Sequence, residues 1–141
     1  MFQNIQLLLC RLVILGILVG LVFGIDELIK TRMKEVGTSV LNEGVAFGLF
    51  GGMQMSLILA LLCIFMTYYW IKETDLVMRT GWGMIISGGV SNLLDRWRYG
   101  GVVDYIYYPI IEVYGNLADI VIVVGVLVMI LVSFRKSTNA N

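Results

Sequence analysis

The 141-residue chain contains no histidine. That absence excludes Ser-His-Asp and Cys-His nucleophilic machinery and the usual zinc ligand sets. Charge is scarce as well, at 14% of residues, against about 25% in an average soluble domain. Lys plus Arg equals Asp plus Glu at ten each, so net charge points to neither nucleic acid nor an anionic surface as partner. One proline argues against a loop-rich fold, and the two cysteines, Cys10 and Cys63, lie far apart inside apolar runs. They read as small buried hydrophobes that say nothing about redox compartment. What the chain has in excess is apolar surface: 59% hydrophobic residues and a mean hydropathy of +0.89, with 16 glycines. This composition fits helices packed closely in lipid, in one membrane domain covering residues 1–141.

Apolar runs at residues 5–25, 53–70, 76–94 and 116–134 each approach the length that crosses a hydrocarbon core of about 30 Å. The expected fold class is therefore an all-α membrane protein with four transmembrane helices and a short substructure outside the membrane. The first run reads as a retained helix, not a cleaved signal peptide. It is too long for an h-region, no Ala-x-Ala-like site follows it, and further spans do. Gly16, Gly20 and Gly24 form one small-residue stripe, and Gly83, Ser87 and Ser91 a second, both suited to close helix contact. Arg11 can snorkel to the headgroups, and Tyr68, Tyr69 and Trp70 read as an interfacial belt. Asp26 and Lys30, four residues apart, read as a surface ion pair worth about 0.3–0.5 kcal/mol. The stretch Asn42-Glu43-Gly44-Val45-Ala46-Phe47-Gly48 reads as a glycine-punctuated turn.

Four spans place both termini on one side of the membrane. Asp26, Asn42, Asn92, Asp95, Arg96, Asp104 and Asp119 then gather at one surface, while Lys72, Glu73, Asp75, Arg79 and Arg135-Lys136 lie at the other. Lys and Arg are evenly divided between the two surfaces, so the positive-inside rule leaves orientation open.

The polar residues between positions 88 and 119 call for a reason, because ionisable groups within spans are functional candidates by default. Asn92, Asp95 and Arg96 share one helix face; an asparagine bonded to a neighbouring helix beside a helix-end Asp–Arg pair would explain them equally well. Asn116 is a good N-cap, with Asp119 in the positive field of the helix start. Capping explains Asn116 fully and Asp119 in part. Asp104 follows Gly100-Gly101-Val102-Val103, as a turn aspartate in an aromatic-rich re-entrant loop or as a carboxylate that must pair or keep its proton. Two carboxyls without histidine or metal-type spacing suggest aspartyl chemistry. One member keeps a proton, and the pair titrates as a unit.

Taken together, several ordered blocks resemble the lipoprotein signal peptidase (signal peptidase II) family. They are Asp26 with Lys30, Asn42-x-Gly44-Val45-Ala46-Phe47-Gly48, Gly89-Val90-Ser91-Asn92-Leu93-Leu94-Asp95-Arg96, Gly101-Val102-Val103-Asp104-Tyr105 and Asn116-Leu117-Ala118-Asp119. The resemblance implies that Asp104 and Asp119 are a catalytic dyad. It further implies that Asn42, Asn92, Arg96 and Asn116 bind substrate or position the dyad, and that Asp26, Lys30, Asp95 and Gly44 give structural support. It implies an endopeptidase that cleaves bacterial prolipoproteins just before a diacylglyceryl-modified cysteine, without a metal or other cofactor. The partners would be lipid-modified signal peptides and membrane lipids, with no nucleic acid, and the chain would act as a monomer. Its place would be the bacterial cytoplasmic (inner) membrane, multi-pass, with termini inside and the active site on the extracytoplasmic face.

Two departures from the family pattern stand out. Gly115 occupies the position where an aromatic usually precedes the asparagine, and the connection from Asp26 to Asn42 is short, implying a reduced extracytoplasmic β-sheet. Alternatives from other classes are a small ion- or proton-coupled membrane protein and a catalytically inactive relative. A presenilin-type protease does not fit, because Gly100-Gly101-Val102-Val103-Asp104 lacks its Gly-x-Gly-Asp.

Overall fold

In a water-poor surround, backbone polar groups are satisfied within helices or closed barrels. The apolar runs are accordingly helical in the computed structural model, which describes residues 2–45, 50–51 and 53–138. The helices are α1 (Phe2–Val36), α2 (Met53–Lys72), α3 (Leu76–Tyr99) and α4 (Leu117–Thr138). Two stretches, Ile5–Val36 and Leu117–Thr138, are long and apolar enough to cross a membrane, and Ser56–Lys72 is a shorter apolar helix. α1 continues well past the apolar run that nucleates it, carrying Asp26 and Lys30 inside the helix. α3 is sharply bounded. The Asp75 carboxylate accepts from the Val77 and Met78 amides at 3.0 and 2.9 Å, and Gly100 ends the helix at φ +78°, a conformation only glycine adopts without strain.

Between the helices lie short strands, more widely spread than the reduced β-sheet expected between Asp26 and Asn42: β1 (Val40–Asn42), β2 (Gly44–Val45), β3 (Phe50–Gly51), β4 (Val102–Asp104), β5 (Ile106–Tyr108) and β6 (Val113–Gly115). They pair antiparallel as β1–β4, β2–β3 and β5–β6. Two or three residues are too few to show an alternating pattern, which is why Asn42 and Gly44 read as a turn. Val40 instead stands opposite Asp104, and Asn42 opposite Val102. Ala46, Phe47 and Gly48 of that block lie outside the described residues.

Packing is inverted relative to a water-soluble domain. Large apolar side chains of α1, α2 and α4 are exposed around the outside, while Asp26, Lys30, Ser91, Asp95, Asp104 and Asn116 are buried. The apolar core is small, with Leu15, Trp70 and Ile86 at its centre. Trp70 thus belongs to the interior and not to the aromatic belt, whereas Tyr68 and Tyr69 are exposed. Cys10 is exposed rather than buried, and Cys63 half-buried.

The close helix contact is not where the first glycine stripe suggested. A Cβ at Gly16, Gly20 or Gly24 would meet nothing within 4 Å. At Gly88 it would lie 2.5 Å from the Ala118 carbonyl oxygen, and at Gly81 2.9 Å from that of Gly125. These glycines let α3 and α4 touch backbone to backbone. That contact brings the α3 residue Asn92 beside the first turn of α4. At the far end of the bundle, Lys136 pairs with Asp75 at 3.1 Å, and Arg11 donates to the Ile71 carbonyl. Arg11 is therefore held by the end of α2 instead of simply reaching for headgroups.

Candidate active site

Asn116 starts α4 and works in both directions. Its Oδ1 accepts from the Asp119 amide at 3.0 Å, and its own amide donates to Asp119 Oδ2 at 3.1 Å, a reciprocal cap of the helix terminus. Its side-chain nitrogen donates to Asp104 Oδ1 at 2.7 Å and to Asn92 Oδ1 at 3.1 Å. Asn92 in turn donates to Asp119 Oδ1 at 2.7 Å, and Asn42 to Asp104 Oδ2 at 2.9 Å. Every carboxylate oxygen of Asp104 and Asp119 thus accepts an N–H, and two asparagines link the acids. Capping accounts for one oxygen of Asp119; the other belongs to Asn92.

Both acids open on one cavity of about 980 Å³, whose walls also include Asn42, Asn92 and Arg96. Leu59 and Ile122 line it on the apolar side. Arg96 does not pair with either acid. Its guanidinium donates to the Gly44 carbonyl at 2.8 Å and, more weakly, to that of Glu43 at 3.5 Å, so it holds the β1–β2 corner against α3. Gly44 contributes backbone: its amide bonds Asn42 Oδ1 at 3.1 Å.

Asp26, Lys30 and Asp95 sit apart from the acidic pair in a second buried network. Lys30 is 1% exposed and bonds both Asp26 and Asp95, the latter at 2.7 Å. The expected surface ion pair is therefore an interior one. Ser91 donates to Asp26 Oδ2 at 3.1 Å and Asp95 Oδ2 accepts from the Val103 amide at 3.1 Å, next to Asp104. Tyr105 ends one of the family-like sequence blocks, where the resemblance gives it no role. Its hydroxyl donates to Asp26 Oδ1 at 3.0 Å and accepts from the Leu117 amide at 3.0 Å, tying α1 to the start of α4. Burial pushes this phenol up, which keeps its donor proton in place. The available signal was that a buried tyrosine hydroxyl needs a partner.

Among the described residues no cation forms an ion pair with Asp104 or Asp119. Burial pushes the Asp104 carboxyl up to about 6, opposed by the Asn42 and Asn116 hydrogen bonds and reinforced by the charge of Asp119. A raised carboxyl favours folding where it is protonated, so this contribution is complete below the unfolded value of 3.8 and is lost as pH rises to about 6. The loss is on the order of 2–3 kcal/mol. Thermal unfolding in detergent should accordingly show the wild-type midpoint falling across that window, with Asp104→Asn much less affected. Parallel profiles for the two proteins would contradict the assignment to Asp104.

The chain matches the family model described as Signal peptidase (SPase) II over residues 18–135. It is 37% identical to a lipoprotein signal peptidase of Helicobacter pylori strain Shi470, with 92% of each chain covered. A lipoprotein signal peptidase of Clostridium novyi strain NT is 39% identical, over 67% of this chain and 70% of the relative. In structure the chain is similar to a bacterial membrane enzyme solved at 2.3 Å, with a TM-score of 0.79 at 22% identity, covering 91% of this chain and 92% of that one. A second bacterial membrane enzyme, solved at 1.9 Å, gives 0.73 at 24% identity over 84% and 90% of the two chains.

Proposed function

Since the chain belongs to the signal peptidase II family, we propose that Asp104 and Asp119 perform the hydrolysis by which this membrane peptidase removes signal peptides from prolipoproteins. The observation that carries the assignment is the amide bridge through Asn116 and Asn92, which links the two acids at the wall of one cavity. The ionised member takes a proton from water as its oxygen attacks the scissile carbonyl, and the protonated member gives its proton to the carbonyl oxygen. The tetrahedral diol then collapses. The C–N bond breaks, the nitrogen takes the proton that came from water, and a diol hydroxyl returns a proton to the other carboxylate. No covalent enzyme intermediate forms, and the pair ends with the single proton it started with.

Asn42, Asn92, Asn116 and Arg96 position the substrate or hold the dyad; Asp26, Lys30, Asp95 and Gly44 support the frame. Residues 1–141 form one membrane domain of four spans, residing as a monomer in the inner membrane of a bacterium. Both termini are inside and the dyad lies at the extracytoplasmic surface, where a signal peptide enters sideways from lipid. A proton relay would need acids aligned across the bilayer, whereas these gather at one end of the bundle.

The substrate class is tested by supplying one precursor with and without the diacylglyceryl group on its cysteine. Cleavage should occur just before the lipidated cysteine and be at least about tenfold faster than for the unlipidated form, a gap of about 1.4 kcal/mol or more in transition-state binding. Equal rates would remove lipid recognition from the proposal.

A further inference from the structure

β5 and β6 form a hairpin whose register pairs Ile106 with Gly115 and Tyr108 with Val113. Tyr108 and Gly115 are therefore diagonal neighbours on one face of the hairpin, within reach of an aromatic ring. A Cβ on Gly115 would lie 3.0 Å from Tyr108 Cε2, 3.8 Å from its hydroxyl oxygen and 3.1 Å from Asp119 Oδ2. The side-chain place that Gly115 leaves empty is thus enclosed between the Tyr108 ring and the Asp119 carboxylate. Backbone conformation does not demand the glycine, since the positive-φ glycines among the described residues are Gly37 and Gly100. Space demands it. A ring folded over a sheet glycine is a recognised way of repairing the missing side chain. Asp119 lines the cavity, and Tyr108 is not among its lining residues.

We propose that Tyr108 is a positioning residue for the acidic pair: its ring and the Asp119 carboxylate border the same space over Gly115, and the ring limits how far that carboxylate can swing from Asn92. The inference rests on the dyad assignment and adds a residue to it. Gly115 is then no defect in this chain, because the ring comes from the facing strand. The ring, not the hydroxyl, carries the role. Among the described residues the Tyr108 hydroxyl makes no hydrogen bond, and burial, with the charges of Asp119 and Asp104, pushes the phenol up, so it adds no third negative charge.

The test uses the full chain in detergent with a lipidated precursor, comparing Tyr108→Ala, Tyr108→Phe, Gly115→Phe and the double variant Tyr108→Ala/Gly115→Phe. Tyr108→Ala should lower kcat about 10- to 100-fold, the scale of an ångström-level misplacement, with KM changed by less than about threefold. Tyr108→Phe should restore kcat to within about threefold of wild type. Gly115→Phe alone should be impaired by collision with the Tyr108 ring, and the double variant should exceed both singles because one ring again occupies the space. The proposal fails if Tyr108→Ala keeps its kcat, if its loss appears in KM alone, if Phe is no better than Ala, or if the double variant does not exceed both singles. Where Tyr108→Ala does not fold, the Phe and double variants decide. Active Asp104→Asn or Asp119→Asn would overturn the dyad reading and this one together; inactive ones beside a normal Tyr108→Ala would overturn this one alone.

Discussion

Asp104→Asn and Asp119→Asn should each slow cleavage of a diacylglyceryl-modified precursor by about a hundred- to ten-thousand-fold, the contribution of a positioned acid or base. The substitution is nearly isosteric, so the cavity and substrate affinity should survive and the loss should fall on kcat. The hydrogen bonds explain why asparagine cannot substitute. Each acid accepts two N–H groups, Asp104 from Asn42 and Asn116, Asp119 from Asn92 and the Asn116 amide. An asparagine offers one oxygen to two donors and sets an NH₂ against the other. It also cannot exchange a proton with water. The two variants combined should be little worse than either, because the pair acts as a unit. Additive losses, or normal cleavage by either single variant, would show that the acids do not share the reaction. Single-turnover measurement of the lipidated precursor in detergent decides the matter.

The second large effect lies at Lys30, which is not among the residues lining the cavity. Lys30→Met should destabilise the fold by about 3–5 kcal/mol, the usual result of stripping one partner from a buried ion pair. Its two carboxylate partners, Asp26 and Asp95, are 0% exposed, and among the described residues Asp95 Oδ1 already lacks a hydrogen-bond partner. Without the ammonium, two buried negative charges face each other and at least one must take up a proton. Adding Asp26→Asn and Asp95→Asn to Lys30→Met should recover much of the melting temperature, since like-sized neutral groups avoid the unpaired charges. A triple variant as unstable as Lys30→Met would show that packing of the lysine stem, and not charge, dominates. Activity should fall with the single variant even where the protein remains folded. Asp95 holds the Val103 amide beside Asp104, and Asp26 holds Tyr105, which holds the Leu117 amide beside Asn116.

The helices were readable because long apolar runs have few alternative conformations in lipid, and the start of α3 at residue 76 fell where the apolar pattern placed it. Their packing was less readable. Gly16, Gly20 and Gly24 are spaced like a contact stripe yet face open space, while Gly88 and Gly125, with no such repeat, make the tight approach to backbone carbonyls. Spacing reports which residues share a face, not whether a neighbour lies against it. Asp26 and Lys30 looked like a solvated pair because four-residue spacing is the same on a surface and in an interior. Only the fold shows that α3 covers them with Ser91 and Asp95. The site residues gathered at one end, as counting helices required, and Asn116 capped α4 as its residue type suggested. Asn116 also bonds Asp104, and Asn42 reaches the same carboxylate from β1, 62 residues away in sequence, across the β1–β4 pairing. No local pattern could show it.

The buried network around Lys30 has a consequence for biosynthesis. A chain made from its N-terminus contains Asp26 and Lys30 before Ser91, Asp95 or Tyr105 exists, so within this network the two charges first have only each other. Their pair is neutral, which suits early insertion. Asp95 then adds a negative charge that the Val103 amide helps to hold, while the Ser91 and Tyr105 hydroxyls donate to Asp26 and the Tyr105 hydroxyl accepts from the Leu117 amide. The last bond of the network, from the Leu117 amide to the Tyr105 hydroxyl, needs the first residue of α4, the helix that also carries Asp119.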